Sequence, residues 1–246
     1  MGDCVIRILN AGDSAVTVEF GQKIDPEVCG MIQTFCKKLQ QEPIRGITEV
    51  LPTFRSLTVF YDPMIISYNK LVRSLKKKSA SLSALEQTDK RIYEIPVCYE
   101  EPFCPDLAFV AEHAKMTPEA VIERHSAPDY LIYMLGFLPG FAYLGGLDES
   151  IVTPRLSSPR TKIEAGSVGI GGEQTGIYPL DSPGGWQLIG RTPLKPYDPD
   201  RKQKILYEAG DYIHFNPISY EEYQRIEAEV KAGTYQVSVR VVEAGR

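Results

Sequence analysis

Three features of this sequence could do chemistry: a histidine at a helix end, a pair of arginines, and a glycine-rich run set among aromatic side chains. His125 closes the segment TPEAVIERH, just before an aromatic stretch. An imidazole there can move a proton near neutral pH, or it can serve only to complement the helix-end dipole. Arg155 and Arg160, in TPRLSSPR, carry the planar fork that grips a carboxylate or phosphate, and each equally suits a solvated loop. The run GSVGIGGEQTG, Gly166 to Gly176, has the composition of a phosphate cradle. It fails both nucleotide motifs. No G-K-[ST] ends it, and G-x-G-x-x-G begun at Gly169 meets Gln174 where the third glycine belongs. A glycine-bent barrel corner and an anion loop of backbone N–H groups both stay open.

Other chemistries lack their patterns. His113, His125 and His214 fall in no metal-ligand spacing, so no metal site is expected. GDSAV around Ser14 lacks the second glycine of a nucleophile elbow, and no lysine lies between methionines as biotin attachment requires. The five cysteines, Cys4, Cys29, Cys36, Cys98 and Cys104, form no C-x-x-C, which fits reduced thiols in a cytoplasmic protein. A net charge of -5 argues against nucleic-acid binding, and the run Lys76 to Lys78 suits a helix end. No segment approaches the roughly 20 apolar residues of a membrane span. The start MGDCVIRILN does not read as a signal peptide, and Ile6 stands where the myristoylation motif expects Ser or Thr.

These residues must be positioned by elements that the pattern also outlines. Residues 5 to 9 and the segment AVTVEF read as strands. Asp25 as N-cap and Pro26 at the first helical position open a helix with Val28, Ile32, Phe35 and Leu39 inward. Two more strands, Ile47 to Leu51 and Ser56 to Tyr61, precede a helix from Tyr68 with Leu71, Val72 and Leu75 inward. The order ββαββα predicts an α+β sandwich over residues 1–88. A polar, serine-rich linker, Lys76 to Arg91, then leads into the strand RIYEIPVCY. Two helices follow, one from Asp106 and one capped by Thr117 with Pro118. Beyond Tyr130, glycine and proline punctuate short apolar runs, the mark of a β-barrel or sandwich filling residues 89–246. Tyr220 to Lys231 reads as a polar helix, and Tyr235, Val237, Val239 and Val241 alternate as a last strand. Within the barrel, YMLGFLPGFAYLGG suggests an aromatic wall with close backbone approach, and SPGGWQLIGRTP places the sole tryptophan, Trp186, on the opposite face of a strand from Gln187. The expected division is Trp186 in the core and Gln187 toward a ligand.

Taken together, GDSA, SLTVFYDP, EIPVCY, MLGFLPGFAYLGG, the PR pairs at 154–155 and 159–160, AGSVGIGGEQTGIYP, SPGGWQLIGRTP and AGDYIHF resemble the family of 5-oxoprolinase B subunits, the KipI type. That family is related to allophanate hydrolase subunit 1 and to half of the carboxyltransferase domain of urea carboxylase. The resemblance covers nearly the whole chain in order. It implies an α+β N-terminal domain followed by a mainly β, cyclophilin-like barrel. It also implies two partner chains, a KipA-like chain (the C subunit) and the A subunit, and ATP-coupled opening of the lactam of 5-oxoproline to glutamate. ATP would be bound by, or shared with, one of those partners. Under that resemblance His125 and Arg160 are expected in the chemistry, with Arg155 on a carboxylate or phosphate. Gln174, Thr175, Tyr178 and Gln187 would orient the substrate, and Gly171 and Gly172 would offer N–H groups. The alternatives it leaves open are an inhibitor that binds a sensor histidine kinase, and a carboxyltransferase half of a urea-type system.

Overall fold

The computed structural model describes residues 6–80 and 90–243. They divide into two compact units, one within Met1–Thr88 and one spanning Asp89–Glu243.

The first unit runs β1 (Arg7–Asn10), β2 (Ala15–Glu19), α1 (Pro26–Gln41), β3 (Ile47–Pro52), β4 (Ser56–Tyr61) and α2 (Tyr68–Ser79). Its strands form one antiparallel sheet in the order β1-β2-β4-β3. Strand alternation puts Val16, Val18, Leu57 and Val59 on one face, where they bury against Ile32, Phe35 and Leu39 of α1 and Leu71 and Leu75 of α2. Asp25 caps α1 by accepting from the Glu27 N–H, and Pro26 takes the first helical position.

The second unit is a closed seven-stranded barrel with additions. Its elements are β5 (Lys90–Cys98), α3 (Leu107–Ala114), α4 (Pro118–Ser126), β6 (Asp129–Leu135), β7 (Ala142–Gly145), β8 (Arg160–Ile163), β9 (Ser167–Gly171), β10 (Gln174–Ile177), β11 (Ser182–Gly184), β12 (Gln187–Arg191), β13 (Tyr212–Ile218), α5 (Tyr220–Ala232) and β14 (Val239–Val242). Around the barrel the order is β12-β9-β10-β7-β6-β13-β5, and β5 returns to β12 through Arg191 opposite Cys98. Among the described strands, only β13 and β5 pair in parallel. Ile95, Val97, Ile132, Leu144, Val168, Ile170, Ile189 and Phe215 belong to the main core, against which α3 and α4 also pack. The ribbon β8–β11 stands apart from the barrel sheet.

The last strand is shorter than the alternation predicts. Tyr235 and Val237 pack, half-buried, against the core in irregular backbone, and pairing begins at Val239 opposite Tyr93. The reason lies in β5. Its outer edge offers only Lys90 to Tyr93 to β14, plus the Glu94 N–H to Ser238, before its far end closes on β12. The four described cysteines are thiols outside any disulfide; Cys4 lies outside the described residues.

Candidate functional site

Trp186 organises one face of the barrel. Strands β9 and β10 supply three glycines against Trp186, two of them beneath its indole. A Cβ on Gly171 would stand 2.3 Å from both Cδ1 and Nε1, one on Gly176 would stand 3.2 Å from Cζ3, and one on Gly169 would stand 3.3 Å from the Trp186 Cβ. The glycine density is therefore a bed cut to the shape of one aromatic ring. Trp186 is only 4% exposed, and it joins Phe141, Ile163, Tyr178 and Leu188 in a cluster distinct from the main core. Phe141, Tyr178 and Trp186 meet edge to face, at centroid distances of 5.5 to 6.0 Å.

Arg155 lies on the outer side of this ring, its guanidinium carbon 5.8 Å from the indole centroid. The loop that carries it is tied down on both sides. The Gly172 N–H donates to the Thr153 carbonyl, the Gln187 amide Nε2 donates to the Pro154 carbonyl at 2.9 Å, and the Leu156 N–H donates to the Gly185 carbonyl. Gln187, buried to 2% exposure, thus faces the Arg155 loop rather than open solvent. Gly172, with φ +69°, gives its N–H to that same loop, and Gly171 serves as floor for the indole.

The two arginines differ in what they can still bind. Arg160 donates to Asp106 Oδ1 at 2.7 Å and to the Trp186 carbonyl at 3.3 Å, so its charge is already answered. Asp106 also accepts the Leu188 N–H through Oδ2, which diverts its carboxylate from capping α3. Arg155, exposed on its loop, makes no ion pair with a carboxylate among the described residues. Burial raises the Tyr178 hydroxyl, a shift that Trp186 backbone bonding and the charges of Arg155 and Arg160 oppose. Gln174 stands half-buried on β10 opposite Gly171.

His125 and Thr175 lie elsewhere, inside the barrel. His125 has no exposed surface; its ring stacks on Phe215 at 4.8 Å and touches Tyr99 and Tyr130. Its Nδ1 is 2.8 Å from the Tyr99 hydroxyl and its Nε2 is 2.7 Å from Thr175 Oγ1. The Thr175 hydroxyl has one hydrogen, which it donates to the Gly169 carbonyl at 3.0 Å. Its oxygen must then accept from Nε2–H, which leaves Nδ1 to accept from Tyr99. Burial holds the imidazole pKa at about 3, so the ring is neutral. Tyr99 and Asp106 carry roles no local pattern announced, because their partners lie 26 and 54 residues away.

His214 is a strand residue bonded to Asp129, and His113 is exposed against Phe109. Among the described residues, no cluster of His, Cys, Asp and Glu is arranged to hold a metal, and no helix is long and apolar enough to cross a membrane.

Comparison with known proteins agrees with this architecture. Residues 6–207 match the model of the carboxyltransferase domain, subdomain C and D. The chain is 42% identical over 233 residues to the B subunit of 5-oxoprolinase from Bacillus subtilis, covering 91% of this chain and 97% of that one. The crystal structure of TTHA0988 superposes with a TM-score of 0.74 at 34% identity, covering 83% of this chain and 40% of that one. The urea amidolyase of K. lactis superposes with a TM-score of 0.80 over 96% of this chain and 16% of that one; at 22% identity this likeness speaks for the fold alone. The chain belongs to the carboxyltransferase subdomain C and D family, and within it to the group of 5-oxoprolinase B subunits.

Proposed function

We propose that this chain is the B subunit of a cytoplasmic, ATP-dependent 5-oxoprolinase, which adds water across the lactam C–N bond of 5-oxoproline to give L-glutamate. It works with an A-type and a C-type partner chain. The observation that carries this reading is the 42% identity to the Bacillus subtilis protein over nearly the full length of both chains. A five-membered lactam is a stable amide, so its carbonyl needs activation. The same substrate carries a free carboxylate, which needs a cation.

Arg155 is the group on this chain that suits the carboxylate. It is charged, exposed and held by a tied loop against the Trp186 ring. The buried indole beneath it fixes where the guanidinium sits. The glycine run does not fit a nucleotide phosphate: Gly171 is the floor of the indole, and Gly172 has spent its N–H on Thr153. ATP is accordingly assigned to a partner chain. The test is co-expression with the A-type and C-type partners, then a glutamate-release assay with 5-oxoproline and ATP. Arg155→Ala is expected to raise KM for 5-oxoproline roughly 10- to 100-fold, the worth of a hydrogen bond to a charged group. An unchanged KM would remove Arg155 from the site.

A further inference from the structure

We propose that His125 is a positioning residue, which acts through Thr175 to hold strands β9 and β10 at the height that seats Trp186 and aims Arg155. The inside and the outside of the barrel wall are linked by one directed chain of hydrogen bonds: Tyr99 O–H to His125 Nδ1, Nε2–H to Thr175 Oγ1, and Thr175 O–H to the Gly169 carbonyl. Every polar atom of the imidazole is used, and the ring is clamped by Phe215, Tyr99 and Tyr130, none of them charged. Tyr130 fixes the other end of the residue by donating to the His125 carbonyl at 2.7 Å.

The chain of bonds ends where the outer platform begins. Gly169, whose carbonyl receives it, faces Gly176 in the β9–β10 register, and both glycines lie under Trp186. An imidazole with no exposed surface cannot meet a substrate. It can set the spacing between α4, the end of β5 and the β9–β10 pair, and a shift there moves the indole and the arginine resting on it. The kinetic part of this inference rests on the proposed function; the spectroscopic part stands alone.

Tyr99→Phe and Thr175→Val each break one link with little change of volume, and Thr175→Ser keeps the hydroxyl. In the isolated protein, the emission of Trp186, the sole tryptophan, is expected to shift in both link-breaking variants and to return in Thr175→Ser. In the assembled enzyme the same two variants should raise KM for 5-oxoproline on the order of 10-fold, as misplacement of a binding group does. The pH profile of kcat should keep its shape. Folded variants with native emission and native KM would overturn the proposal. So would a kcat collapse that removes one limb of the pH profile, which would make His125 the acid or base. If the assembly shows no 5-oxoproline turnover, the functional reading falls while the emission test still decides this one. Should the variants fail to fold, 15N shifts of the native imidazole serve instead. A fixed Nε2–H tautomer from about pH 5 to 8 supports the chain of bonds, and titration in that range, where an ordinary histidine changes charge, overturns it.

Discussion

Arg155 owes its freedom to its neighbours. Arg160, five residues on, is held by Asp106, and the backbone on both sides of Arg155 is fixed by Gly172, Gln187 and Gly185, so one guanidinium is left exposed on an aromatic floor. The two arginines look alike in TPRLSSPR, and only the fold tells them apart, because Asp106 is distant in sequence. Arg155→Lys should recover part of the affinity lost in Arg155→Ala, since a point charge survives while the planar two-donor fork does not; KM for 5-oxoproline measures both. Gly171 shows the same dependence on context. Its density in the motif invited a reading as an anion donor, yet a methyl there would overlap the indole. Gly171→Ala should destabilise the fold by about 1–3 kcal/mol, as overpacking does, and displace Trp186; urea titration followed by tryptophan emission reads both effects.

At the level of elements, the helices were the most legible part. Asp25 with Pro26 and Thr117 with Pro118 mark helix starts by local chemistry, and both caps form. The ββαββα order of the first unit likewise follows from short-range periodicity. Strand register in the barrel did not follow, since alternation names two faces but no partner. His125 illustrates the cost of that gap. Its place at the end of α4 was readable, while its burial depends on β5, β10 and β13 closing around it. That burial has a consequence for acid stability. The folded ring holds its pKa at about 3, below the ordinary 6.5 that the unfolded chain restores. The unfolded state therefore binds more protons between these values, and stability falls as pH drops through that window, by up to about 1.4 kcal/mol per pH unit from this residue. Denaturant titrations at pH 7 and at pH about 5 should show a steeper loss in the native chain than in His125→Gln, which cannot titrate. Equal slopes would contradict the buried, neutral ring.

The whole molecule divides its labour unevenly. The features argued for substrate contact lie in the barrel unit, whose long motifs also carried the resemblance to the 5-oxoprolinase B subunits. Those motifs were legible because glycine, proline and aromatic residues at fixed spacing encode close packing that few folds share. The distribution of roles among the motif residues was not, since a side chain's job depends on which strands flank it. Relative to the complete three-chain assembly, omission of this chain should reduce glutamate release to background; equal release without it would count against the functional assignment.

The barrel wall is also not uniform around its circumference. Strand β5 meets β13 along seven residue pairs but meets β12 at one, Arg191 opposite Cys98. The cylinder thus has a seam, and Gly190 lies in it, where a methyl would stand 2.9 Å from the Cys98 carbonyl oxygen. Local opening proceeds where the fewest contacts must be surrendered. Amide protons of β12 along the seam should exchange with deuterium well before those of β13, so that the strand bearing Gln187 and Leu188 is also the panel through which the closed wall breathes.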